Sequence, residues 1–183
     1  MFGSTLQMVR HPDPRLEQVS ATVEEGEFGA DMLTRAQAMN HLRKIEGGIG
    51  IAGVQVGDMR RILLAVVGEK PAHQASRDAT FFANPVITAH GDTVPSGFKE
   101  GCLSYPKLKV NIHRYAWIVL EWRDFDGSQH TRRFEGMDAI VLQHEMDHLD
   151  GKTRLQQASS TAKRKFATGK LPRPKKTRRS SRR

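Results

Sequence analysis

Apolar residues recur at roughly helical spacing between Asp31 and Glu46, at Met32, Ala36, Met39 and Ile45, and Gly47-Gly48 closes the run. The pattern predicts a helix there. Arg61–Val67 contains an unbroken apolar stretch from Ile62 and predicts a buried strand. Phe81–Ile87 predicts a strand that Pro85 interrupts, hence an edge strand or a bend. Tyr115–Trp122 alternates two faces, Asp124–Gly127 makes a turn, and Gln129–Phe134 returns, which predicts a hairpin. Met137–Leu149 predicts a second helix with Gly151 past its end. Beyond it, Leu155, Ala158, Ala162 and Phe166 recur at helical spacing and predict a short further helix. Strands cluster instead of alternating with helices. The expected fold class is therefore α+β, with small antiparallel or mixed sheets around the C-terminal helix, and not a doubly wound sheet.

Composition narrows the class. A chain of 183 residues, 38% of them hydrophobic, suits one domain with a sizeable core. Its longest apolar run, Ile62–Val67, is far short of the roughly 20 residues that span a bilayer, so no membrane segment is expected. One Cys excludes an internal disulfide framework. The N-terminus has no apolar targeting region, and Asp13 and Glu17 come early. The expectation is a soluble protein of a reducing compartment such as the cytoplasm.

The net charge of +9 points at first to nucleic acid, but it is unevenly placed. Up to Asp150 there are 16 Lys and Arg against 20 Asp and Glu, a net of −4; from Gly151 onward there are 13 and no acid, a net of +13. The chain divides into a mildly acidic body, residues 1–155, and a basic extension, residues 156–183. The stretch from Leu171 has almost nothing to bury and is expected to be disordered alone.

The chemistry lies in the second helix, at His144-Glu-Met-Asp-His148. Histidines four apart share a helix face and can reach one metal, and Glu145 can serve a reacting water without ligating. A catalytic metal needs a third protein ligand and an open position. Beyond His148 the only Asp, Glu, His or Cys is Asp150, which faces away around the helix. The third ligand must come from upstream. Cys102, in Glu100-Gly-Cys-Leu-Ser104, is favoured, because a thiolate suits Fe(II), Zn, Co or Ni. The competing reading of a lone Cys is a small buried hydrophobe. Gly101 is expected to supply a backbone shape that other residues resist. Gly48-Ile-Gly-Ile-Ala-Gly-Val-Gln55 matches a dinucleotide-loop string, but a helix precedes it and a strand follows, so that reading fails. The glycines either make a tight helix-to-strand connection or let a backbone edge run beside a substrate, with Gln55 supplying an amide donor; beside a metal site the second reading is favoured.

Together these three segments, in order and at compatible distances, resemble the peptide deformylases. Weaker similarities are His11-Pro-Asp-Pro-Arg-Leu16, Asn84-Pro85 and Asp124-Phe-Asp-Gly127, so the resemblance covers roughly residues 8–155. It implies removal of the formyl group from the formyl-methionine of new polypeptides, with Fe(II) the usual metal and Zn, Ni or Co able to replace it. It implies that Cys102, His144 and His148 bind the metal and that Glu145 is the general base and acid. Gln55 and the backbone N–H of Leu103 would stabilise the oxyanion. Ile49, Gly50, Glu100, Gly101, Ile140 and Val141 would contact substrate. Two departures from the family pattern stand out. Gly53 replaces a usual Ala and is expected to loosen packing behind Gln55; Tyr105 replaces a small aliphatic residue and is expected to alter the cleft rim.

Two alternatives compete. A metalloprotease is disfavoured by the missing downstream ligand, and an RNA-binding protein on a degenerate scaffold by the intact ligand set. The basic tail, residues 163–183, is expected to bind ribosomal RNA with strong salt dependence. A monomer is expected. The host, whether bacterium, organelle or a virus carrying the gene, is left open.

Overall fold

The computed structural model describes residues 6–68 and 77–169. The predicted second helix, α2 (Gly136–Leu149), is the centre of the fold. Ala139, Val141, Leu142, Gln143, His144, Glu145, Met146, His148 and Leu149 are all buried, so residues from every face avoid water, as in a core helix. The helix ends at Gly151, which has φ 67°; a Cβ there would lie 2.6 Å from the Glu17 carbonyl oxygen. Both facts demand glycine.

Two antiparallel sheets surround this helix. The larger has the order β1 (Gly50–Ala52), β2 (Ile62–Ala65), β3 (Thr80–His90), β6 (Trp117–Arg123) and β7 (Gln129–Glu135). The smaller pairs β4 (Thr93–Glu100) with β5 (Val110–Tyr115). The first helix, α1 (Ala30–Ile45), covers the opposite face of the larger sheet. The packing follows from the period-two geometry of strands. In β2, Leu63 and Ala65 join Phe82, Ile118, Leu120, Phe134 and the α2 residues Ala139, Leu142 and Leu149. Ile62 and Leu64 turn the other way and join Met32, Ala36, Met39 and Leu42 of α1. A strand covered on both faces must be apolar throughout, which is why this run has no polar alternation.

Three expectations are corrected. Ile45 was placed on the buried face of α1 but is 66% exposed. At about 100° per residue it lies well off the stripe of Met32, Ala36 and Met39; Leu42 and Arg43 take that place. Of the two alternatives at Pro85 the bend holds and the edge does not: β3 is an interior strand and runs through Pro85 by means of a register shift between Ala83 and Val86. Asn84 takes φ 49° there, and its side chain bonds the N–H and carbonyl of Val23. The bulge removes the position of the missing proline N–H from the ladder. β4 with β5 was not foreseen as a pair, because six of the eight β4 residues are exposed and no alternation marks them.

The chain beyond Gly151 forms α3 (Arg154–Gln157) and α4 (Ser160–Ala167). The anticipated stripe of Leu155, Ala158, Ala162 and Phe166 packs onto Tyr105, Leu108, Val110 and Ile112. The boundary expected at residue 155 thus falls inside α3. The stretch from Leu171 that was expected to be disordered lies outside the described residues, which end at position 169. No helix among the described residues is long and apolar enough to cross a membrane.

Candidate metal centre and cleft

α2 presents His144 and His148 one turn apart, with ring centroids 5.4 Å from each other. Cys102 follows the end of β4 and brings its Sγ to 3.1 Å from His148 Nε2. One ligand atom from each of Cys102, His144 and His148 lies within 4.8 Å of the others. The three residues expected to share a metal are therefore brought together.

Behind the histidines lies a buried ion cluster. His144 Nδ1 and Glu100 Oε2 are 3.0 Å apart; the carboxylate accepts, so Nδ1 carries the proton and Nε2 keeps its lone pair. Arg114 grips Glu100 through Nε and Nη2, both at 2.9 Å, and reaches Asp147 through Nη1 at 2.7 Å. Arg154 joins the same two carboxylates at 3.3 and 2.7 Å. Two acids and two arginines balance, which is the condition for burying all four. Burial alone would raise the Glu100 carboxyl, but hydrogen bonds from His144 and Arg114 outweigh it and hold the pKa at about 2. Glu100, expected to contact substrate, does line the cleft, while its carboxylate oxygens bond His144, Arg114 and Arg154.

The remaining groups respond to burial in the directions that favour a cation. Burial pushes the Cys102 thiol up to about 12, lowers His144 to about 4, and drives His148 well below its ordinary value. Neutral imidazoles are ready ligands, whereas a buried thiolate needs positive charge beside it, and a divalent cation supplies that. Burial also lifts Glu145 to about 8. Its Oε2 and His148 Nδ1 have no hydrogen-bond partner among the described residues. A buried polar atom in that state calls for a water, ion or ligand. The donor set therefore fits one divalent metal with Glu145 beside it.

The Gly48–Gln55 segment forms the other wall. Gly50 lies against Glu145 so closely that a Cβ would meet Oε1 at 2.3 Å. A Cβ on Gly48 would meet Leu103 Cδ1 at 2.7 Å. The Ala52 N–H donates to Gln55 Oε1 at 2.9 Å, which fixes the amide so that Nε2 faces Ser104 Oγ at 3.0 Å and Cys102 Sγ at 3.7 Å. Ser104 is itself held by donating to the Val9 carbonyl at 2.8 Å. The cleft between these walls has a volume of about 470 Å³ and is lined by Ile49, Gly50, Gln55, Gly101, Cys102, Leu103, Ile140, Val141, His144 and Glu145, among others.

Three further expectations change here. Gly101 has no positive φ, and a Cβ would meet nothing within 4 Å, so it is not needed for backbone shape. Gly53 does not loosen the site: a Cβ there would lie 2.7 Å from the Asp58 carbonyl oxygen and 2.9 Å from Ile62 Cγ1. Tyr105 does line the cleft, but from a buried place: it is 1% exposed, and its ring packs with Leu108, Val110 and Ile112 beside His11 and Phe166. Sequence reasoning also missed Phe98 and Met137, both exposed and both lining the cleft. Met137 had a signal, since it precedes Ile140 and Val141 by one helical turn. Arg114, Asp147 and Arg154 had none, because nothing in their local pattern marks them as buried.

Comparison with known proteins decides the family. The family model described as polypeptide deformylase matches residues 5–164. The chain belongs to the polypeptide deformylase family. A peptide deformylase of Novosphingobium aromaticivorans is 34% identical over 181 residues, covering 90% of this chain and 94% of its own length. One from Zymomonas mobilis is 36% identical over 147 residues, covering 80% and 81%. Among solved structures, a peptide deformylase from Legionella pneumophila matches with TM-score 0.77 at 26% identity, covering 91% of this chain and 96% of its own. A peptide deformylase of the Vibrio parahaemolyticus bacteriophage VP16T, solved in complex with actinonin, matches with TM-score 0.69 at 34% identity, covering 81% and 99%. The chain is accordingly a metal-dependent amidohydrolase that removes the formyl group from the N-terminus of newly made polypeptides.

Proposed function

We propose that Cys102, His144 and His148 hold one divalent metal, natively Fe(II), and that the formyl group of a formyl-methionine peptide reacts in the cleft above them. The observation that carries this reading is the convergence of the thiol and two imidazoles beside the buried carboxylate oxygen of Glu145, which has no hydrogen-bond partner among the described residues. One thiolate and two neutral imidazoles suit Fe(II), and equally Zn, Ni or Co. A bound metal supplies Lewis acidity, which favours hydroxide over water at neutral pH and stabilises oxygen charge.

The chain's own groups do the rest. Glu145 takes the proton of the attacking water and returns it to the leaving amine. Its raised pKa makes it a strong base when ionised and an adequate acid afterwards, and a neighbouring cation favours the ionised form it starts from. Charge develops on the formyl oxygen in the tetrahedral state, where Gln55 Nε2 and the Leu103 N–H act as donors. The amide C–N bond breaks, and formate and a free amine result. Ile49, Ile140 and Val141 surround the methionine side chain, and the open space at Gly101 admits the peptide backbone. Gly50 supplies edge-strand hydrogen bonds to an extended chain. The protein works as a monomer in the cytoplasm of its host.

Formate release from a formyl-Met peptide by the purified, anaerobically Fe(II)-loaded chain tests the chemistry. Formate should appear with the peptide bonds intact. Internal cleavage would revive the protease alternative, and an inert, metal-loaded enzyme would sink the proposal.

The basic segment 163–183 is proposed to dock the enzyme on ribosomal RNA near its substrate, on the strength of its charge. Removing it should weaken ribosome binding at low salt and leave turnover of short peptides unchanged. Equal binding by the truncated chain would refute the docking role.

A further inference from the structure

Arg43 belongs to none of the groups above, yet it is buried completely, at 0% exposure. A guanidinium in that position is tolerated only where its donors find acceptors. One of its contacts holds the start of the Gly48–Gln55 segment. Nη1 donates to the Gly48 carbonyl at 2.6 Å, and the Gly48 N–H donates back to the Arg43 carbonyl at 3.0 Å. Both main-chain polar groups of Gly48 thus end on one residue. Nε and Nη2 straddle Asn40 Oδ1 at 3.1 and 2.7 Å, and Nη2 also donates to the Arg77 carbonyl. Asn40 Nδ2 in turn donates to Asp78 Oδ1 at 2.9 Å. One side chain therefore ties together α1, the turn at Gly48 and the backbone at Arg77.

The turn it holds sets the level of the edge strand. The Val66 N–H donates to the Ile49 carbonyl at 2.8 Å, and Gly50 stands opposite Ala65 in the β1–β2 register. Antiparallel ladders alternate, so the N–H and carbonyl of Gly50 point away from β2, toward the cleft. Gly50 is two residues beyond the carbonyl that Arg43 grips. A displacement of Gly48 carries through Ile49 to that edge.

We propose that Arg43 is a positioning residue for the peptide: by fixing Gly48 it sets the Gly50 edge against which the formylated chain lies. It touches no reacting atom. The inference rests on the edge-strand reading proposed above. Its signature is dependence on substrate length, because a formyl-methionine without a following peptide makes little use of the edge. A role confined to stability would affect long and short substrates alike.

The test compares kcat and KM for formyl-Met and for a formyl-Met tripeptide in the metal-loaded enzyme and in Arg43→Met, Arg43→Lys and Asn40→Ala. In wild type the tripeptide should be preferred. Arg43→Met should lose about tenfold of that preference, the value of roughly one well-made hydrogen bond, chiefly through KM. Metal content and formyl-Met turnover should stay within about twofold. Arg43→Lys should recover part of the loss. Asn40→Ala loosens the guanidinium without emptying the buried site, so it should shift the ratio in the same direction, and it keeps the test open if Arg43→Met does not fold. A wild-type length ratio in the folded variants would overturn the assignment of Arg43. No length preference in the wild type itself would overturn the edge-strand reading, and the assignment with it.

Discussion

Replacing Gly50 with Ala is expected to lower kcat on formyl peptides by about 10²-fold while metal content stays at the wild-type level. The reason is steric. A Cβ at Gly50 would lie 2.3 Å from Glu145 Oε1 and 2.8 Å from both Cδ and Cγ. Glu145 is only 4% exposed, and it is anchored on a helix that is itself packed on all sides. The clashing atoms are the end of a side chain that lines the cleft, so the carboxylate must rotate away from its working position into the cleft or push the edge strand outward. Either movement misplaces the proton acceptor, and catalysis is sensitive to shifts of about 1 Å. The three atoms nearest that Cβ all belong to Glu145 and none to Cys102, His144 or His148. Kinetics with metal analysis on the same sample separates the two effects. A wild-type kcat in Gly50→Ala would show that the contact does not constrain the carboxylate.

Glu145→Gln should produce a loss of about 10²–10⁴ in kcat, the usual range for removal of a general base. The amide is nearly isosteric with the acid but cannot take up a proton. Because Glu145 is not among the three proposed ligands, the variant should bind its metal normally. Peptide affinity should also survive, since no proposed peptide contact is removed. The diagnostic result is an inert protein with full metal content. Loss of metal together with activity would move Glu145 from proton carrier to ligand or structural support.

How legible these features were in the chain depended on the range of the interactions. The His144–His148 pair was readable because both residues lie on one helical turn, and a helix fixes their relation within five residues. Cys102 was reachable by argument, since a two-histidine site lacked a ligand downstream. β2, the β6–β7 hairpin and α2 were readable because apolar runs and alternation report burial directly. The ion cluster behind the site was not. Glu100, Arg114, Asp147 and Arg154 come from four separate elements, and a charged residue carries no local sign that tertiary structure will bury it. Arg43 is the same case inside a helix, where it takes a core position that the apolar pattern assigned to Ile45. Gly53 and Tyr105 show the limit of comparison by motif. Each was judged against a family pattern as a local change, but the Asp58 and Arg60 carbonyls around Gly53, and Leu108, Val110 and Ile112 around Tyr105, decide how each packs.

The account stands on a single metal bound by Cys102, His144 and His148. Its most direct test is a titration of the metal-free protein with Fe(II) under anaerobic conditions, with formate release from a formyl-Met peptide followed at each addition. Activity should be absent at the start, rise in proportion to added metal, and level off at one equivalent per chain. Full formate release by the metal-free protein, or a plateau at any other stoichiometry, would contradict it.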